Sequence, residues 1–253
     1  MQFIIHQLNK NLRAVFRHLK KSPSNTMRNA LKLHLSGDGI EIGALHEPLD
    51  ISGLPISSIR YVDRMSSTDL RERYPELKYR FLVSPDVIDD GEKLTTFHDA
   101  SLDFIIANHM IEHSRNPIGT IRTWLTKLRP CGIIFMAIPD MRVTFDKDRP
   151  ITTVEHLCND DELSIEQLLT NDYEHYREYT ELVIKEASPL QIDNHAKQLM
   201  ESNYSIHYHT FTSSNFLQML NYAQKKLPFA IRAFTDNVKG SNEFIFVLGK
   251  NHK

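Results

Sequence analysis

Along the chain, apolar residues recur in two rhythms. From residue 39 onward, short continuous or alternating runs read as strands over 39–42, 59–62, 79–83, 102–107 and 133–138. The last two are almost continuously apolar, as expected of strands covered on both faces. Between them, Ile118, Ile121, Leu125 and Leu128 recur at helical spacing. Asn116 can cap that helix, Pro117 suits its first turn and Pro130 stops it. Strands alternating with helices imply right-handed crossovers and a doubly wound, mostly parallel α/β sheet.

Residues 141–211 break the alternation. Ile165, Leu168, Leu169, Tyr173, Tyr176, Tyr179, Leu182 and Val183 fit one long helix, ended by Ser188-Pro189, and a second runs through Ile192, Ala196, Leu199 and Met200. This stretch reads as a helical cap inserted into the sheet domain. A helix over Phe216, Leu217, Leu220 and Tyr222 resumes the scheme. Runs 229–235 and 243–248 then close a seven-stranded sheet, and their short connection permits only an antiparallel hairpin.

A length of 253 residues suits one large domain with an insertion, and an apolar content of 41% excludes a disordered chain. Net charge is −2, so no global field draws the protein to nucleic acid. That balance hides an asymmetry. Residues 1–37 carry seven basic side chains and no acid, with an apolar stripe through Phe3, Ile4, Leu8, Leu12, Val15, Phe16 and Leu19. A basic amphipathic helix ending near Ser22-Pro23 follows. It suits peripheral contact with an anionic membrane surface or, more simply, packing on the main domain at 38–253. Only Cys131 and Cys158 are present, no apolar run reaches spanning length, and the first residues lack a signal-peptide pattern. A reduced, cytoplasmic protein is the expectation.

In open α/β sheets ligands bind beyond the carboxyl ends of the strands, where strand order reverses. Each of the first five runs leads into polar residues: Gly43-Ala44-Leu45-His46 after Glu41, then Asp63-Arg64, Asp86 with Asp89-Asp90-Gly91, Asn108-His109 with Glu112-His113, and Pro139-Asp140. A glycine at the first turn permits close approach of the backbone to a ligand, and Asp63 can accept both hydroxyls of a ribose. Residues 39–43 do not match Gly-x-Gly-x-x-Gly, which disfavours a nicotinamide oxidoreductase.

These segments resemble the class I S-adenosylmethionine-dependent methyltransferases. The residues carrying the resemblance are Glu41-Ile42-Gly43-Ala44, Tyr61-Val62-Asp63, Asp90 through Leu94, the run from Asp99 to His113, and Leu128-Arg129-Pro130-Cys131-Gly132. A bacterial branch with Glu-Ile-Gly-Ala-Leu-His at the first loop and Phe-Asp-x-Asp-Arg-Pro after the fifth strand is similar at Glu41–His46 and Phe145–Pro150. The resemblance implies S-adenosylmethionine as cofactor, with Glu41, Gly43 and Ala44 along its methionine part and Asp63, with Arg64 beside it, at the ribose. Asp90 and Gly91 would face the adenine, and Asn108 would border the methyl group. Leu45 and Glu47 stand where such loops carry glycine.

Methyl transfer needs alignment of nucleophile, methyl and leaving sulfur, and a hydroxyl acceptor also needs a base. His109 and Asp140 are the candidate catalytic residues. His113 reads as a structural histidine. Asp146, Arg149, His207 and His209 are candidate contacts to a small-molecule or glycan-type acceptor, although an internal Asp–Arg network fixing the cap fits Asp146 and Arg149 equally well. His207 and His209 alternate, and a pair without a third ligand does not define a metal site, so none is assigned. A non-catalytic binding or assembly protein of the same fold is the alternative function, motivated by Leu45 and Glu47.

Overall fold

The computed structural model describes residues 22–74 and 77–252, so the basic helix expected before Ser22 lies outside the described residues. Ser22-Pro23 begins a helix: α1 (Pro23–Leu31) carries proline in its first turn, and Ser22 Oγ accepts the Asn25 amide at 3.1 Å. The sheet contains β1 (Gly37–Ile42), β2 (Ile56–Asp63), β3 (Val87–Ile88), β4 (Leu102–Asn108), β5 (Leu128–Pro139), β6 (Phe229–Thr235) and β7 (Glu243–Lys250). Its order is β3-β2-β1-β4-β5-β7-β6. The first five strands are mutually parallel, and β7 runs antiparallel to both β5 and β6. This is the doubly wound, seven-stranded α/β sheet with a C-terminal antiparallel hairpin that the sequence predicts.

The third strand is a correction. Residues 79–83 form no strand; Tyr79 and Phe81 are 92% and 81% exposed, and the Val83 amide is taken by Leu45 O at 2.7 Å. Strand propensity there finds no partner edge. Val87-Ile88 pairs instead, opposite Val62-Asp63.

Two apolar layers enclose the sheet. Along β4, Ile105 and Ala107 face one core with Ile118, Ile121 and Trp124 of α3 (Pro117–Lys127) and Phe216 and Leu220 of α7 (Ser213–Ala223). Phe104 and Ile106 face the other with Met27 of α1, Leu35 and Leu49. Alternate residues therefore serve opposite cores, which explains the unbroken apolar run. Asn116 caps α3 by accepting the Gly119 amide at 2.7 Å, and the helix yields to β5 at Leu128, before Pro130. A short helix α2 (Ser67–Arg73) lies after β2.

The insertion leaves and rejoins the sheet at one point: Asp140 bridges to Phe211, and the Met141 amide donates to Phe211 O at 2.9 Å. Within it stand α4 (Val154–Glu162), α5 (Ile165–Tyr179), a π-helical turn (Thr180–Ile184) and α6 (Pro189–Glu201). Tyr173, Tyr176 and Tyr179 pack with Ala196, Ile206 and Tyr208. The aromatic stripe is thus the cap's own core. Among the described residues no helix is long and apolar enough to cross a membrane.

Ile105→Ala, at a residue with no exposed surface between the two halves of the sheet, should lower unfolding free energy by about 2–5 kcal/mol, as read from urea denaturation.

Candidate active site

Strand order reverses between β1 and β4, and the loops after β1, β2, β3 and β4 meet there around a cavity of about 650 Å³. Gly43, Asp63, Arg64, Asp90, Gly91 and His109, each from a strand end singled out above, line it. Tyr204, Ser205 and Tyr208 of the insertion form part of the opposite wall. The volume lies within the range of small-molecule and cofactor sites.

Gly43 turns with φ +64°, and a Cβ there would meet nothing within 4 Å. Its backbone is therefore open to a ligand. Leu45 takes φ +46°, the left-handed conformation a glycine would adopt more cheaply. Its side chain packs against the cluster of Leu70, Leu77 and Leu82, and Glu47 is exposed. Neither replacement closes the cavity.

Asp63 stands at the end of β2; burial raises its carboxyl, although the backbone amides of Met65 and Arg64 oppose the shift. Arg64 hydrogen-bonds the Tyr74 hydroxyl. Asp90 accepts the Glu92 amide at 2.9 Å and pairs with Lys93 at 2.8 Å. Gly91 is required by packing, since a Cβ would stand 2.6 Å from Ile42 Cγ2. Glu92, which the resemblance sets beside Asp90, also lines the cavity and accepts Ser114 Oγ at 2.8 Å.

Glu41, Ala44 and Asn108, also expected along the cofactor, are not among the residues lining the cavity. The fully buried Glu41 carboxylate instead accepts the Leu49 amide at 2.9 and 3.2 Å and Asn108 Nδ2 at 3.3 Å. Burial raises it to about 7 despite those donors. Glu41 braces the first loop from beneath.

His109 does face the cavity, with φ +50°. Its Nε2 lies 2.7 Å from Glu243 Oε2, and the same carboxylate receives Arg28 Nε and Nη2, both at 2.7 Å. Burial opposes charge on His109, but the Glu243 hydrogen bond and the Glu112 and Glu243 charges outweigh it and raise its pKa. Burial likewise opposes charge on Glu243, yet His109 and Arg28 hold it down to about 2.

Asp140, the other candidate catalytic residue, does not line the cavity. It is completely buried, and Arg142 grips both oxygens, with Nε at 2.9 Å from Oδ1 and Nη2 at 2.5 Å from Oδ2. Nor do the four candidate acceptor contacts, Asp146, Arg149, His207 and His209, line it. Arg149 is buried and donates to Asp146 Oδ1 (2.8 Å), Glu178 Oε1 (2.8 Å) and His207 O (2.9 Å). These bonds consume its donors in holding the cap, the internal network that the sequence also allowed. His207 and His209 are buried in separate clusters, His207 with Glu112 and His113, His209 with His156 and Asp160. Both clusters draw their third member from a distant stretch of chain, which spacing alone could not reveal. His113, expected to be structural, lines the cavity; burial and the neighbouring His207 push it down to about 3.

Residues 39–136 match the family profile described as a methyltransferase domain, about two fifths of the chain. A search of curated proteins returned no match. Among solved structures, a Rhodobacter sphaeroides protein provisionally described as a zinc-dependent alcohol dehydrogenase is 14% identical at TM-score 0.52, covering 90% of this chain and 91% of its own. A SAM-dependent methyltransferase from Thermotoga maritima is 13% identical at TM-score 0.46, with full coverage of both chains. The chain spans half the length of a CurJ carbon methyltransferase (14% identity, TM-score 0.44, 88% of this chain). It spans 66% of a Bordetella parapertussis protein. Strand order, switch-point cavity and domain match together define the methyltransferase type of α/β fold.

Two outcomes follow. Arg149→Ala, which strands Asp146 in a buried site, should cost about 3–5 kcal/mol of stability in urea denaturation. For the Glu243–His109 pair the signs are opposite. The depressed Glu243 contributes stability above its ordinary pKa of 4.5 that is lost as pH falls toward 2, and the raised His109 contributes stability below 6.5 that is lost as pH rises through its folded value. The pair should therefore stabilise most between about pH 4.5 and 6.5. In Glu243→Gln, NMR titration of His109 should show its pKa falling, and the acid limb of the stability profile should flatten.

Proposed function

We propose that this protein transfers a methyl group from S-adenosylmethionine to a small-molecule or carbohydrate-type acceptor held between the sheet edge and the helical insertion. The observation carrying this reading is that Gly43, Asp63 and Asp90, on three successive strand ends, line one cavity at the switch point. Those residues fit the cofactor. The open Gly43 turn can admit a carboxylate against backbone amides, Asp63 can accept ribose hydroxyls, and the Asp90–Gly91 turn can meet the base. When bound, the cofactor supplies an electrophilic methyl on a sulfonium. The match over residues 39–136 supports the same reading, and the exposed Glu47 and the Leu45 side chain, which packs against Leu70 and Leu77 in the wall and leaves the cavity open, favour it over a non-catalytic binding protein.

The chain's own part is alignment and proton handling. Tyr204, Ser205 and Tyr208 of the insertion wall the crevice on the side facing the strand ends. His109 is the group placed to take a proton from an acceptor hydroxyl. Its pairing with Glu243 makes it a stronger base than an ordinary histidine, at the cost of a smaller neutral fraction near pH 7.

Thermal-shift and calorimetric titrations with S-adenosylmethionine and its demethylated product should show saturable, one-to-one binding. Asp63→Ala, which removes an acceptor of ribose hydrogen bonds, should weaken it about 10–100-fold. Absence of binding to the folded wild-type chain would discard the proposal. The peripheral membrane contact suggested for residues 1–37 is a separate proposal, tested by sedimentation with anionic vesicles.

A further inference from the structure

We infer that Glu112, His113 and His207 form a site for one divalent transition-metal ion, set in the wall of the cavity and able to bind an acceptor through an oxygen donor. The ion site stands on its own observations; its service to an acceptor rests on the methyl-transfer reading above.

Glu112 carries the inference. It follows β4 in a short 3₁₀ turn and has no exposed surface, yet neither carboxylate oxygen has a hydrogen-bond partner among the described residues. A buried, unsolvated carboxylate costs several kcal/mol unless something compensates it. The groups nearest to doing so are two imidazoles just out of hydrogen-bond range. His207 Nε2 lies 3.8 Å and His113 Nε2 4.0 Å from Glu112 Oε1. An ion bound at about 2.0–2.2 Å from each donor would draw these separations in to roughly 3–3.5 Å. The required movement is about half an ångström.

The outer contacts point the same way. His113 Nδ1 lies 2.8 Å from Ile206 O and 3.1 Å from Ser205 Oγ, and His207 Nδ1 lies 2.7 Å from Asp146 Oδ2. Asp146 is itself fixed by Arg149 at 2.8 Å. With each Nδ1 engaged by a carbonyl or carboxylate, each Nε2 presents its lone pair toward Glu112. That is how proteins orient histidines toward a metal. Phe145 covers His207 with ring centroids 4.6 Å apart, which shields the site from water on that side. On the other side His113 belongs to the cavity wall, so the remaining coordination position opens where an acceptor would lie. Two imidazoles and one carboxylate suit Zn²⁺, Co²⁺, Mn²⁺ or Fe²⁺ better than Mg²⁺ or Ca²⁺.

The second cluster, His156, Asp160 and His209, is the rival location. It differs in that Asp160 has His156 Nε2 at 3.2 Å, whereas the nearest ion partners of Glu112 among the described residues stand at 3.8 and 4.0 Å. It also contributes nothing to the cavity wall.

The test uses the full chain, stripped with a chelator and titrated with Co²⁺ and Zn²⁺ in the absence of any methyl donor. Elemental analysis should give one ion per chain, the cobalt form should show ligand-field absorption of a histidine-bound ion, and melting temperature should rise with metal. His113→Gln and His207→Gln should each weaken binding at least about tenfold, Asp146→Asn about 10–100-fold, and His156→Gln should leave it unchanged. Circular dichroism identifies any variant that fails to fold, and His113, at the cavity wall with its side chain 31% exposed, then decides. No stoichiometric uptake by the folded wild type overturns the inference. So does binding that survives His207→Gln and disappears in His156→Gln. Binding of the demethylated cofactor to the stripped chain is measured separately, so failure of the metal site and failure of the methyl-transfer reading are distinct results.

Discussion

The pairing of β1 with β4 sets everything else in place. Their parallel register joins Gly39 to Phe104 and Ile42 to Ala107, so both strands end at the same height. Crossovers then depart to opposite sides, and no backbone fills the gap between the two following loops. Gly43 and His109 face each other across that gap because a ladder of backbone hydrogen bonds holds their strands in step. Both residues take left-handed conformations, which turn the chain sharply off the sheet and leave the crevice open.

How far the chain announced this arrangement depends on the kind of signal. β4 and β5 were legible because burial on both faces writes a continuous apolar run, and α3 because Asn116 and Pro117 mark its start. The hairpin was legible because a short link has one topological solution. The third strand was not, since two residues carry no period, while Tyr79 and Phe81 imitate a strand in a solvent-exposed loop. Strand-end logic placed Asp63, Asp90 and His109 correctly on the cavity. It could not distinguish a carboxylate facing a ligand from one spent on the fold. Glu41 and Asp140 sit at equally suggestive places in the chain, but one braces Leu49 and the other neutralises Arg142.

The insertion shows the same division between function and support. Its tyrosines and its Asp146–Arg149 network hold helices together, and only a few side chains reach the cavity. Arg149 secures the returning segment through His207 O, which in turn carries Tyr208 to the cavity wall and His207 to Glu112. Rigidity in the cap is thus what gives the far wall its shape. Short-range spacing could not have shown it, because the partners lie about sixty residues apart.

Glu243 has a wider reach than its position on a closing strand suggests. One carboxylate joins α1 through Arg28, the hairpin through its own backbone, and the loop after β4 through His109. Two cations share it. Any event that pulls the amino-terminal helix away from the sheet would leave that charge to the imidazole alone and tighten its hold on a proton. The earliest described element of the chain thereby becomes a tuning screw for acid–base behaviour at the crevice.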